Sequence, residues 1–259
     1  MNILMKIQQD YLQFAQQERR VADYILKNSS DIGNIKINML AKDTNTSNTT
    51  ITRFCKKIGC DSFSELKFQI YNSSKKKKVQ KKNITDEVFD FYQTVIENTQ
   101  NMTKVEDLAK FMKLIMQVEE ILVIGLSSTG GSANTLAVRL MRMGLNAQCI
   151  SDVSWMRMKA KVINKNTLVI ALSLTGVTDV IKETVEISKK NGAKVISLTN
   201  YTKNEISNLA DLSLYVYSTK FINDERFINS QFSMMYLIDV ITTYLMQNEE
   251  LNKIMKKTF

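Results

Sequence analysis

The chain of 259 residues contains no histidine. Without an imidazole there is no His-based nucleophile triad, and most acid/base chemistry near neutral pH loses its usual carrier. The three cysteines, Cys55, Cys60 and Cys149, are scattered, form no CxxC pair and have no histidine to complete a zinc site. They read as reduced structural thiols, and neither a metal nor a cofactor is expected. Long apolar runs are missing as well. The longest stretches, such as Ile121 to Leu126 and Leu168 to Leu172, fall far short of the roughly 20 residues that cross a bilayer. The first ten residues lack the charged start, apolar core and small-residue cleavage site of a secretory signal, so the chain is expected to stay in the cytoplasm, away from membranes.

What is present is an ordinary globular composition, 44% apolar and 24% charged, with a formal net charge of +9. That charge is unevenly placed. Residues 1–82 hold 16 Lys+Arg against 7 Asp+Glu, a difference of +9, and the remainder holds 19 against 19, a difference of zero. A basic module joined to a neutral one is the electrostatic footprint of nucleic-acid binding, because neutralising phosphates releases counterions. A solvated basic surface or a membrane-facing patch would carry the same charge, so the pattern inside the head has to decide.

Three helical segments fill the head. Val21, Ala22, Ile25 and Leu26 share one stripe of a helix over 18–27; Ile37, Leu40 and Ala41 are the inward side of a short helix over 37–43. Thr44, Asn45 and Thr46 then break the periodicity. Ser47 is a good N-cap for a third helix that buries Ile51, Phe54, Cys55 and Ile58 and stops at Gly59. On this pattern Asn48, Thr49, Thr50, Arg53, Lys56 and Lys57 point away from the core. A short helix, a tight polar turn and a capped helix bearing short polar groups and cations is the arrangement whose last helix enters the major groove. Ser47, Asn48, Thr49, Thr50, Arg53, Lys56 and Lys57 are therefore the candidate DNA-binding residues, with Thr and Asn suited to base edges and the cations to phosphates or a guanine. The plainer reading is a three-helix bundle with a wet basic face. Residues 1–74 are assigned to this domain, and the lysine-rich 75–85 to a basic linker that can also track the DNA backbone.

Residues 86–259 form the second domain. Helical spacing over 86–118 (Val88, Phe89, Tyr92, Val95, Ile96, then Leu108, Phe111, Met112, Ile115) precedes short apolar runs at 121–124, 147–150, 168–172, 194–198 and 212–216. Runs of this kind separated by helical stretches signal a parallel sheet covered on both faces, closed by a helix over 230–246. Ligands of such sheets lie beyond the carboxyl ends of the strands. There the first strand is followed by Gly125-Leu126-Ser127-Ser128-Thr129-Gly130-Gly131-Ser132 and the third by Ser173-Leu174-Thr175-Gly176-Val177-Thr178. Each loop offers hydroxyls, glycines and a helix N-terminus that favours an anion, with phosphate the natural occupant; taken singly, each could be a mere cap or turn.

At these residues the chain resembles the MurR/RpiR family of bacterial transcription regulators. In the head the resemblance rests on Glu18 to Leu26, Thr49 to Gly59 and Phe63 to Lys67; in the second domain on the two hydroxyl loops, Asn191 to Asn200 and Leu209-Ala210-Asp211. It implies an all-α helix-turn-helix domain followed by an α/β sugar isomerase (SIS) domain, a flavodoxin-like three-layer αβα fold with a five-stranded parallel sheet. It further implies a homodimer or homotetramer that reads operator DNA and holds a sugar-phosphate effector. By motif position the ligand residues are Ser127, Ser128, Thr129, Ser173, Thr175, Gly176 and Thr178, together with Glu225, which falls near where SIS isomerases place a working carboxylate. Ser127 stands where the family commonly has a second glycine, and Thr129 and Thr175 where it usually has serine. The alternative is a phosphosugar isomerase-like enzyme with an accessory helical domain. The absence of histidine, and of any convincing partner for Glu225, favours a ligand-gated regulator that is not an enzyme.

Overall fold

A computed structural model describes residues 3–29, 32–73, 83–218 and 231–258. The chain divides into two compact units, and the division falls between Phe89 and Asp90. The lysine-rich run and Glu225 lie outside the described residues.

The first unit is helical: α1 (Ile3–Gln9), α2 (Gln16–Lys27), α3 (Ile37–Asp43), α4 (Asn48–Lys57) and α5 (Phe63–Ser73). Each helix supplies a stripe to one core, with Ile7 from α1, Val21 and Ile25 from α2, Leu40 from α3, Ile51 and Phe54 from α4, and Leu66 and Ile70 from α5. The expected inward residues of α3 and α4 hold, except that Ile37 packs only at the edge. The link between these two helices is set by backbone chemistry. Asn45 adopts φ +50°, a left-handed conformation that Asn tolerates better than most residues. Thr46 N–H returns to Ala41 C=O (2.8 Å), and the Thr44 hydroxyl donates to Leu40 C=O (2.7 Å). The end of α4 is closed the same way. Gly59, at φ +82°, donates to Lys56 C=O, and Cys60 N–H reaches Cys55 C=O (2.8 Å), the paired bonds of a Schellman stop.

The second unit holds the rest of α6 (Ile84–Met102), then α7 (Val105–Ile115), β1 (Glu120–Ile124), α8 (Ser128–Arg142), β2 (Ala147–Ile150), α9 (Val153–Val162), β3 (Thr167–Ser173) and α10 (Asp179–Lys190). There follow β4 (Lys194–Asn200), α11 (Glu205–Leu209), β5 (Leu212–Val216), α12 (Phe232–Leu245) and α13 (Glu249–Lys256). The five strands are parallel in the order β2-β1-β3-β4-β5. Every residue of β3 is buried, because alternate side chains enter two cores. Leu168, Ile170 and Leu172 pack with α7, α8 and α12; Val169 and Ala171 pack with α9, α10 and α11. From β1 the chain winds outward to β2, and from β3 it winds the other way to β4. The pairing of Ile124 with Ala171 therefore marks a topological switch point, where the loops after two adjacent strands diverge and leave a crevice.

Candidate nucleic-acid interface and anion site

The outward face of α4 differs from the expected one at one position. The exposed residues are Asn48, Thr49, Thr52, Arg53, Lys56 and Lys57, a stripe at i, i+1, i+4, i+5, i+8, i+9. Thr50, expected to face outward, is instead buried at 4% exposure beside Ile51, Phe54, Cys55 and Ile58. The reason is angular: Thr50 lies on the opposite side of the helix from Thr52. Its hydroxyl is satisfied in the core by Gln17 Oε1 (3.2 Å) and Ser47 Oγ (3.0 Å), which lets a polar residue occupy an apolar stripe. Thr52 was missed, although the same helical spacing points to it.

The remaining candidates fall into two groups. Ser47 Oγ accepts the Thr50 N–H (3.1 Å) and so caps α4, while Asn48 donates to Asn38 Oδ1 (2.6 Å). Lys57 donates to Gln13 C=O (2.9 Å) and Glu18 Oε2 (2.8 Å). Burial pushes the Glu18 carboxyl up, but hydrogen bonds from Lys57 and Ala15 N–H and the charges of Lys57 and Arg53 outweigh it and hold the group below its usual range. These residues are committed to the head itself. Thr49, Arg53 and Lys56 are exposed and make no hydrogen bond through their side chains among the described residues, which leaves them available to a partner.

In the second unit the loops after β1 and β3 are built differently. Ser127 opens α8 at φ +51°, ψ −123°, a conformation that suits glycine, and its exposed side chain forms no cap bond. Thr129 is buried, and its hydroxyl donates to Leu126 C=O (2.8 Å) while accepting Leu126 N–H (3.1 Å), so it shapes the loop. Ser128 is exposed and accepts from Gln231 Nε2 (3.2 Å); Gln231 Oε1 in turn accepts from Ser132 Oγ (3.3 Å). Gln231 was not anticipated, since it lies about a hundred residues from the loop and no local motif marks it.

After β3, Ser173 Oγ accepts the Gly176 N–H (3.1 Å) and pairs with Thr178 Oγ1 (3.1 Å), whose second neighbour is Thr175 Oγ1 at 3.5 Å. Gly176 is required: it sits at φ +70°, and a Cβ there would lie 2.1 Å from Asn204 Cγ. Asn204 is fixed by Thr199 Oγ1 (3.1 Å) and by capping the Ser207 N–H (2.8 Å), so it has no room to yield. Three hydroxyls thus cluster before a 12-residue helix, beside the start of a 15-residue one, each helix presenting the positive end of its dipole. That arrangement is electrostatically suited to an anion.

At the amino end of the sheet, opposite the loops, Asp211 ties β5 to β4. Its carboxylate accepts Val195 N–H (2.8 Å) and pairs with Lys189 (2.8 Å) and Lys194 (3.3 Å). Burial raises this carboxyl, but these bonds outweigh it and hold it below the ordinary value.

Comparison with known proteins agrees with both units. A model of the helix-turn-helix domain of the rpiR family matches residues 1–77, and one of the SIS domain matches residues 114–244. The chain is similar to an uncharacterised HTH-type transcriptional regulator of Haemophilus influenzae, at 26% identity across 96% of this chain and 91% of that one. A second such regulator, from Clostridium perfringens, is 25% identical across 100% and 98%. Among solved structures, the NanR protein of Vibrio vulnificus complexed with ManNAc-6P is similar at TM-score 0.63 and 25% identity, over 99% of this chain and 96% of that one. The sugar isomerase domain of an RpiR transcription factor from Sphaerobacter thermophilus has TM-score 0.62 at 14% identity, over 68% and 98%, a likeness of fold alone.

Proposed function

Because the chain belongs to the RpiR family of helix-turn-helix transcription regulators with a SIS domain, we propose that it acts in the cytoplasm as a dimer whose grip on operator DNA is set by a sugar phosphate. The observation that carries this reading is the pair of hydroxyl-bearing loops at helix N-termini on adjacent strands, at the switch point of the sheet. The phosphate lies against Ser128, Thr175 and Thr178, with Ser173, Thr129 and Gly176 holding the loops in shape. The likeness to NanR, solved with ManNAc-6P, supports an amino-sugar phosphate as the first class to try.

In the head, α4 enters the major groove with Thr49, Thr52 and Arg53 toward base edges and Lys56 toward phosphate. Two heads of a dimer then read half-sites about 34 Å apart, one turn of the duplex. An effector changes this affinity only by binding one state of the dimer better than the other, a coupling typically about 1–3 kcal/mol. The test is a gel-shift with DNA upstream of the gene and its neighbours, with and without hexose, amino-sugar and disaccharide phosphates. A shift whose midpoint moves by 5-fold or more with one of them is the expected result. Binding with no response to any sugar phosphate, or turnover of the bound sugar, would refute the regulatory role of the loops.

A further inference from the structure

One face of the sheet domain is apolar and uncovered. On α9 the side chains of Trp155, Met158 and Val162 recur at i, i+3, i+7 and are 65%, 59% and 68% exposed, although Met156 and Ala160 on the other side of the same helix are fully buried. Together they make a contiguous apolar patch of a few hundred Å², the size at which a monomer's surface begins to call for a partner. Trp155 is the chain's one tryptophan, and its turn is pinned by Asp152, whose carboxylate accepts the Trp155 N–H (2.9 Å). An exposed tryptophan is the residue type that anchors protein interfaces.

The charges beside the stripe indicate what covers it. Helix α9 carries Arg157, Lys159 and Lys161 and no acid, and the first two-thirds of α10, its neighbour on this face, exposes Asp179, Glu183 and Glu186 around a single cation, Lys182, which is itself paired with Glu205 and Glu186. Arg157 already pairs with Glu183 (3.1 Å) and Lys159 with Glu120 (2.6 Å), whereas Lys161 is exposed with no ion pair among the described residues. Both helices leave the carboxyl ends of their strands and so run in the same direction. A twofold axis that sets two copies of this face antiparallel stacks stripe on stripe and brings Lys161, at the end of one α9, over the acidic start of the other copy's α10. The face is complementary to itself.

From this we infer that α9 is the centre of the interface between two copies of the chain, with Trp155 its anchor. The inference rests on the dimeric reading above and deepens it, because α9 starts beside the anion loops. A Cβ at Gly130 of α8 would stand 3.1 Å from Ser151 Cβ, just before α9. A ligand drawn onto the start of α8 therefore acts within a few residues of the surface on which the second copy sits.

The experiment is sedimentation equilibrium of the full chain combined with its tryptophan emission, which reports Trp155 alone. Dilution of the wild type should shift the emission to longer wavelength in step with dissociation of the dimer. Met158→Glu should raise the dissociation constant by about 100-fold with unchanged circular dichroism, and Lys161→Glu by several-fold, an effect that fades with added salt. A stable dimer whose Trp155 emission is that of a fully exposed indole, and which Met158→Glu leaves intact, overturns this interface and leaves the dimeric reading standing. A full chain that is monomeric at micromolar concentration overturns both.

Discussion

Arg53 and Ser173 are offered to partners on opposite terms. Arg53 is exposed on α4 and makes no hydrogen bond through its side chain among the described residues, whereas Ser173 is 3% exposed and holds the Gly176 N–H and the Thr178 hydroxyl. Around Arg53 the division is general: Thr49, Thr52 and Lys56 are outside, and Ile51, Phe54 and Cys55 are inside. Around Ser173 there is no such division, because Thr178, proposed to line the site, is bonded to Ser173, which holds the loop in shape. In the head, stability and recognition sit on different sides of one helix and can vary separately. In the sheet domain they share atoms, so changes to the site are felt in the fold.

The largest break in this comparison comes from Gly176→Ala. The left-handed backbone costs a β-carbon about 1–2 kcal/mol, and overpacking against the fixed Asn204 adds roughly 1–3 more. Sheet-domain unfolding, followed by Trp155 emission, should move to lower denaturant, and sugar-phosphate binding should be lost with it. Retained binding at wild-type stability would show that the loop can be rebuilt without its glycine.

Next in size is Ser173→Ala combined with Thr175→Val. Thr175 loses a hydrogen bond to a charged group, worth about 1.5–3 kcal/mol, and Ser173 the bonds that shape the loop, so affinity for the effector should fall by about one to two orders of magnitude in calorimetry. A stability loss of up to about 1 kcal/mol should accompany it, since the Gly176 N–H loses the Ser173 hydroxyl and keeps only the Ser173 C=O. DNA binding without effector should stay at wild-type strength.

The head should separate what the loops combine. Arg53→Ala is expected to weaken specific operator binding by about 1–3 kcal/mol and to leave unfolding unchanged. Thr50→Ala should do the reverse, costing about 1 kcal/mol of stability through the bonds to Gln17 and Ser47 while operator discrimination persists. Fluorescence anisotropy at matched salt, beside thermal unfolding, distinguishes the pair. Equal loss of discrimination in both variants would mean that Thr50 reaches DNA after all.

How far this contrast could be read in advance follows from which interactions are local. The α3 boundaries, the Ser47 cap and the Gly59 stop are decided within a few residues, and the five parallel strands announce themselves as short, mainly apolar runs between helical stretches. Thr50 was misplaced because a threonine was assigned to the surface by residue type when its angle on the helix put it inside. The short amphipathic helices α1, α11 and α13 carry too few turns for periodicity to mark them. Gln231 meets Ser128 and Ser132 only through tertiary folding, and nothing near it in the chain signals that meeting.

The smallest expected effect compares two carboxylates held below their ordinary range, Glu18 tying α2 to Lys57 in the head and Asp211 tying β5 to β4 at the amino end of the sheet. A carboxyl whose folded pKa is depressed adds stability that is present above its unfolded value, near 3.9 for Asp, and is lost as pH falls through the folded one. Both groups lie near the surface, so each contributes on the order of 0.5–1 kcal/mol. Asp211→Asn keeps an acceptor for the Val195 N–H but removes the charge that Lys189 and Lys194 share. Its deficit against the wild type should therefore be constant from pH 7 to about 5 and shrink below about pH 4, where the wild-type carboxylate takes up its proton. Trp155 emission reads that difference in the sheet domain alone. Glu18→Gln should leave the Trp155 transition untouched at every pH, and a deficit seen there would mean that the two units do not unfold independently.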